Sequence, residues 1–252
     1  MTRIIDLSIT LTPRDKSARP PQIEYVDHEK SAERCAVAYG VKPDDFREGK
    51  YAAIEHITLT THDTTHLDAP YHYYPTTNGR PARTIDQIPL EWCFSDGVIL
   101  DFHHKKKGEN ISRQEVQGTL LEIGYQLKPL DIVLIRTDAC KHFDEKGYED
   151  VNPGMSREAT LWLIQQGIKI MGIDAWGWDR ALGTMIDDLK AGHKEQFWES
   201  HYLGKEMEYC HMERLCNLDK IPVSHGFKVA AFPIKIEEAS AGWVRAVAIL
   251  DG

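Results

Sequence analysis

The sequence predicts an α/β fold, a mixed β-sheet with helices packed on it. Three observations carry that reading. Short β-branched, apolar runs recur along the chain between turn residues. A helix signal at 156–166 runs directly into a strand signal at 168–174, an α/β unit. The last two apolar runs are split by "EEASAG", which reads as a hairpin turn. Parallel and antiparallel pairing are therefore both expected, and a purely doubly wound sheet is not.

In chain order, strands are expected at 3–9 (RIIDLSI), 53–60 (AIEHITLT), 97–102 (GVILDF), 131–138 (DIVLIRTD), 168–174 (IKIMGID), 227–236 (FKVAAFPIKI) and 243–250 (WVRAVAIL). One helix starts at "SRQE", where Ser112 caps and Glu115 completes a capping box. Val116, Leu120, Leu121 and Ile123 then recur at helical spacing. A second starts at Ser156, buries Leu161, Leu163 and Ile164, and stops at Gly167. Further helices are expected near 182–191 and 208–217, and the polar region 14–50 yields no element.

No Pro/Gly/Ser-rich linker, repeat or low-complexity segment divides the 252 residues, so a single domain, 1–252, is expected. The net charge of −9, from 39 acids against 30 bases, disfavours nucleic acid as the main partner. The run Lys105–Lys107 reads as a solvated turn. Five cysteines without a CxxC give neither a disulfide framework nor a cysteine zinc site. The start "MTRIIDLSITLTP" does not read as a signal peptide, and no apolar run approaches the ~20 residues of a membrane helix. A cytoplasmic location is the expectation. GxGxxG, GxxxxGK[ST] and GxSxG are all absent, so nucleotide cofactors and a serine-hydrolase elbow lack support.

Chemistry concentrates in "THDTTHLDAPYHY", residues 61–73. His62, His66, Asp68 and His72 share one parity. A continuous helix fails, because Pro70 breaks it. A straight strand puts them on one face but leaves His62 and His66 roughly 13 Å apart, too far for one metal. A strand ending near Thr61 and a turn through Asp63-Thr64-Thr65 would fold the ligands back. Imidazole and carboxylate suit zinc, manganese or iron. Two histidines and one aspartate leave coordination positions open, where a metal lowers the pKa of water to roughly 7. His72 could then move protons. A single histidine of this kind is ordinarily a satisfied core or surface residue; it is the concentration that points to a metal.

The segment resembles the cyclase-like metal-dependent hydrolases, a family that includes kynurenine formamidase and isatin hydrolase. Their motif, His-x-Gly-Thr-His-x-Asp-x-Pro-x-His, aligns with His62 through His72, with Thr64 in place of the glycine. A β-branched residue takes φ > 0 with difficulty. "IDLS", "NPGMSREATLWLIQQGIKIMGID" and "FPIKIEEASAGWVRAVAIL" extend the resemblance over nearly the whole chain. It implies a swivelling β/β/α fold and one or two divalent ions, Zn²⁺ or Mn²⁺. It implies His62, His66 and Asp68 on one metal, with Asp68 bridging to a second held by His201 and Glu213, and His72 as the proton-transfer residue. By itself Glu213 reads as a solvated helix residue, and His211 is a competitor that a helix would point elsewhere.

Formamidases of the family tend to carry serine where Gly177 stands, and this chain runs longer from there to His201. Trp176 and Trp178 could stack on a planar ring or belong to the core; Trp198 and Tyr202 are further candidates for the lining. The resemblance implies a hydrolase of amides, lactams or lactones, arylformamidase-like, acting on a small aromatic or cyclic substrate as a homo-oligomer, such as a homodimer. Its rivals are a metal-dependent cyclase or lyase acting through an enolate, and a non-catalytic small-molecule-binding relative.

Overall fold

The computed structural model describes residues 1–13 and 20–250. Residues 14–19 of the unassigned polar region lie outside the described residues. The chain divides into two compact units, Met1–Thr10 with Thr61–Gly252, and Leu11–Thr60.

Nine strands form the sheet of the larger unit: β1 (Arg3–Asp6), β2 (His66–Asp68), β3 (Phe94–Asp101), β4 (Ile132–Arg136), β5 (Ile170–Ile173), β6 (Cys210–Glu213), β7 (His225–Ala230), β8 (Ala241–Trp243) and β9 (Val247–Leu250). Their order is β1-β9-β7-β3-β4-β5-β6-β2-β8. The central four, β3 to β6, are parallel, and antiparallel pairs flank them on both sides. The expected mixed sheet is present. Its parallel strands are almost continuous apolar runs because both faces are covered.

Side-chain alternation sorts the strands into two cores. Ile132 and Leu134 pack with Leu67, Ile170, Met212, Phe227 and Val229. Val133 and Ile135 face the opposite way, with Val98, Leu100, Met171 and Ile173, onto the helices. Among the described residues four α-helices belong to this unit: α1 (Pro70–Tyr73), α2 (Arg113–Glu122), α3 (Arg157–Gln165) and α4 (Leu182–Lys190). Val116 and Leu120 of α2 and Ala159, Leu163 and Ile164 of α3 cover the second core. The capping box at Ser112 and Glu115 forms in both directions, at 2.8 and 3.3 Å. Ser156 caps α3 by accepting from the Ala159 amide at 3.2 Å. Gly167 ends that segment at φ +88°, where a Cβ would come within 3.0 Å of Pro129.

The sheet must curl. Only residues 244–246 separate β8, at one end of the order, from β9, next to the other. Four steps of extended chain span at most roughly 14 Å. The closing bonds are there: Leu7 N donates to Ala246 O at 2.9 Å and Val244 N to Thr65 O at 3.1 Å.

Two expectations are corrected. The segment 208–217 is not a helix: β6 occupies it, and its residues alternate between apolar Cys210 and Met212 and polar His211 and Glu213. "EEASAG" is not a tight hairpin. β7 and β9 do pair antiparallel, but the chain between them leaves to add β8 beside β2. Pro233, which cannot donate to a ladder, lies beyond the end of β7 at Ala230.

In the smaller unit, Ile54–Thr58 pairs antiparallel with Gln22–Val26, so the strand expected at 53–60 exists outside the nine-stranded sheet. The helix His28–Tyr39, in the region that gave no element, is capped by Asp27 and ends at Gly40 with φ +69°.

Candidate metal centre

Register builds the centre. β6 runs antiparallel to β2 with His211 opposite Asp68, Met212 opposite Leu67 and Glu213 opposite His66. Met212 and Leu67 therefore enter the core together, and the other four side chains share the opposite face. His66, Asp68 and His211 are fully buried and Glu213 nearly so.

The turn after Thr61 forms as expected and brings His62 back, its Nδ1 2.8 Å from Asp68 Oδ1. Its Nε2 meets Ser240 Oγ at 3.1 Å. Thr64 adopts the left-handed conformation, φ +53°, that glycine would take freely. Its hydroxyl donates to Ile9 O at 2.9 Å, and its carbonyl accepts from His66 Nδ1 at 2.9 Å. That bond leaves His66 Nε2 facing Asp68 Oδ1 at 3.3 Å and Glu213 Oε2 at 3.7 Å.

His201 starts a 3₁₀ segment, His201–Lys205. Asp179 accepts from its Nδ1 and, at 2.9 and 3.2 Å, from the Ser200 and His201 amides. His201 Nε2 thus points inward, 3.6 Å from Glu213 Oε1. His211 Nε2 lies 3.1 Å from both Asp68 Oδ2 and Glu213 Oε1. His72, on the single turn α1, places Nε2 3.9 Å from Asp68 Oδ2. Every residue expected at the site is therefore brought together, and His211 joins them because β6 is a strand.

The electrostatics are those of ionised carboxylates among imidazoles. Burial opposes ionisation of Asp68, yet His72, His66 and His62 hold it well below the usual carboxylate range. Burial and Asp68 push Glu213 up, but His211 and His201 prevail and bring it to about 2. Burial disfavours a charged His211, and Asp68 and Glu213 outweigh that, raising it to about 9. Burial dominates at His72 and, with His62 and His201 and against Asp68, pulls it down to about 4. His72 is neutral near pH 7.

The donor set fits a divalent cation. His66 Nε2, both Asp68 oxygens and both His211 nitrogens are buried with no hydrogen-bond partner, costly unless another group satisfies them. Asp68, His201, His211 and Glu213 offer atoms all within 4.8 Å of one another, as do His62, Asp68 and His72. Bonds of about 2.0–2.1 Å at tetrahedral angles separate ligands by roughly 3.4 Å. The 3.1, 3.1 and 3.6 Å separations bracket that value.

The tryptophans divide. Trp178 is core: fully buried, stacked on His211 at 5.5 Å, its indole donating to Thr160 Oγ1 at 3.0 Å. Its amide donates to Glu213 Oε1 at 2.8 Å. Trp176 and Trp198 instead line a cavity of ≈ 130 Å³ with His62, His72, His201 and Glu213. Trp198 lies flat on His201, ring centroids 4.4 Å apart. Tyr202 is exposed and is not among the residues lining this cavity. Asp179, Arg214 and the Thr64 carbonyl were missed by the sequence reading. Only the period-two alternation of "CHME" could have pointed to His211.

Comparison with known proteins agrees with this architecture. Residues 5–180 match the family model described as "Putative cyclase". The chain belongs to the cyclase family. Kynurenine formamidase of Bacillus mycoides (strain KBAB4) is 22% identical over 191 residues, covering 76% of this chain and 77% of the relative. Isatin hydrolase of Roseibium aggregatum is 25% identical over 213 residues, covering 81% and 77%. Among solved structures, an isatin hydrolase bound to the product analogue thioisatinate superposes with TM-score 0.79 at 19% identity, covering 100% of this chain and 93% of that one. Isatin hydrolase A from Ralstonia solanacearum gives 0.79 at 21% identity, covering 99% and 92%. Among the described residues no helix is long and apolar enough to cross a membrane.

Proposed function

We propose that this chain is a metal-dependent hydrolase that opens or cleaves an amide, lactam or lactone with water. One observation carries the reading: the carboxylates of Asp68 and Glu213 converge with five imidazoles, and His66 Nε2, both Asp68 oxygens and both His211 nitrogens are buried there without a hydrogen-bond partner. The relatives' names, kynurenine formamidase and isatin hydrolase, support amide and cyclic-amide bonds as the target. His62, His66 and Asp68 would hold one ion; Asp68, His201, His211 and Glu213 would hold a second. When bound, a Zn²⁺ or Mn²⁺ ion there supplies a Lewis acid and a more acidic water.

The chain's own residues do the rest. Water oxygen bonds to the carbonyl carbon, the C–N or C–O bond breaks, and one proton passes to the leaving atom. His72, neutral and lining the cavity, takes that proton at Nε2 and returns it to the leaving group. Asp179 and the Thr64 carbonyl fix the tautomers of His201 and His66 so that Nε2 points inward in each. Trp176 and Trp198 give the cavity walls suited to a ring. Residues 1–252 act as one domain, in the cytoplasm and as a homo-oligomer.

The test is a metal-supplemented screen against N-formylkynurenine, isatin and a lactone panel in ¹⁸O-labelled water. One labelled oxygen entering the product supports hydrolysis. Turnover without label would instead place the chain with metal-dependent lyases.

A further inference from the structure

Arg214 is one of two arginines that line the cavity and that the metal centre does not use. It follows Glu213 directly, at φ +57°. Its backbone is pinned on both sides: the amide donates to Ala175 O at 2.8 Å, and the carbonyl accepts from Thr65 Oγ1 at 2.5 Å. The side chain is held beneath the surface, 7% exposed, with the guanidinium 5.2 Å over the Trp176 ring. Nη1 reaches Asp63 only at 4.0 Å, and the buried Nε has no hydrogen-bond partner among the described residues. The cavity's other arginine, Arg180, is already engaged by Asp188 at 2.7 Å.

A guanidinium buried to this degree with an unmet donor is costly, and an anion placed against it removes the cost. We infer that Arg214 receives a carboxylate of the substrate, which makes the substrate class a carboxylate-bearing aryl amide or lactam. The inference rests on the hydrolase reading for the bond that is cut, but not for the anion. A single planar fork matches a carboxylate in two parallel bonds. A phosphate dianion would bring a second negative charge toward Asp63 and Glu213. Trp176, Trp198 and Met185 supply the apolar walls for the ring. Arg214 is thus a specificity residue, acting on the substrate's acid group rather than on the bond that breaks.

The experiment uses the metal-loaded full chain as wild type, Arg214→Gln and Arg214→Lys. Binding of 2-aminobenzoate and of aniline is read by tryptophan quenching, and hydrolysis of 2-formamidobenzoate and of formanilide by kcat and KM. Wild type should favour the acid of each pair by about tenfold or more, the worth of a charged hydrogen bond. Arg214→Gln should bring that ratio close to one, chiefly through KM, and Arg214→Lys should keep part of it. Metal content and melting temperature verify that each variant is folded. A preference that survives in Arg214→Gln, or an acid not preferred by wild type, overturns the assignment. If wild type binds the acid selectively and cleaves neither amide, the anion site stands and the hydrolase reading falls.

Discussion

His211 and Asp68 face each other across antiparallel strands, with His211 Nε2 3.1 Å from Asp68 Oδ2 and neither atom in a hydrogen bond. Their pairing comes from strand register, with Met212 and Leu67 driven into the core one position away. The same register sets Glu213 opposite His66. The hydrophobic pattern thereby fixes where the polar side chains between them must point.

His211→Ala should fold and lose metal. With its imidazole gone, the site of Asp68, His201 and Glu213 retains three donors. Elemental analysis after dialysis should show a lower metal-to-protein ratio than wild type, and competition with a chelator an affinity reduced by about tenfold or more. An unchanged ratio and affinity would remove His211 from the ligand set.

Asp179→Asn should weaken the same position from one step further out. Asp179 holds His201 Nδ1 and the Ser200 and His201 amides. Losing the charge leaves the His201 tautomer poorly defined, and metal affinity should fall about 10–100-fold with the fold intact. Calorimetric titration of the metal-free variant measures it.

His72→Ala should separate proton transfer from metal binding. The expected loss in kcat is about 10²–10⁴-fold with metal content unchanged. A variant that keeps wild-type kcat, or that loses its metal as His211→Ala does, contradicts the assigned role.

Asp174 makes stability pH-dependent away from the metal. Burial raises its carboxyl to about 6, although Thr137 and the Asp138 amide donate to it. A folded pKa above the ordinary 3.8 means the group favours the native state most below pH 3.8, and that contribution fades as pH rises through about 6. Denaturant titration at pH 4.5 and 7 should show wild type losing about 2 kcal/mol more than Asp174→Asn between them. Equal losses would mean that Asp174 titrates normally.

Much of this was legible in the sequence. Buried parallel strands such as Ile132–Arg136 announce themselves as apolar runs, and Ser112 with Glu115 fixes a helix start through a local bond. The candidate site residues at 62, 66, 68 and 72 share one short segment, so composition alone exposed them. What failed depended on tertiary context. β6 is four residues long, half of them polar residues of the candidate site, so its apolar signal is only Cys210 and Met212. β8 owes its existence to the free edge of β2, a partner far off in the chain. Thr64 carries a left-handed backbone that its own side chain disfavours, held by bonds to Ile9 and His66 that no local pattern encodes.

The most direct measurement of the central claim is activity against metal content. The purified chain, stripped by a chelator and verified metal-free by elemental analysis, should lose hydrolysis of its best amide or lactam substrate and regain it when Zn²⁺ or Mn²⁺ is restored. Hydrolysis that continues undiminished in the metal-free protein would contradict the account.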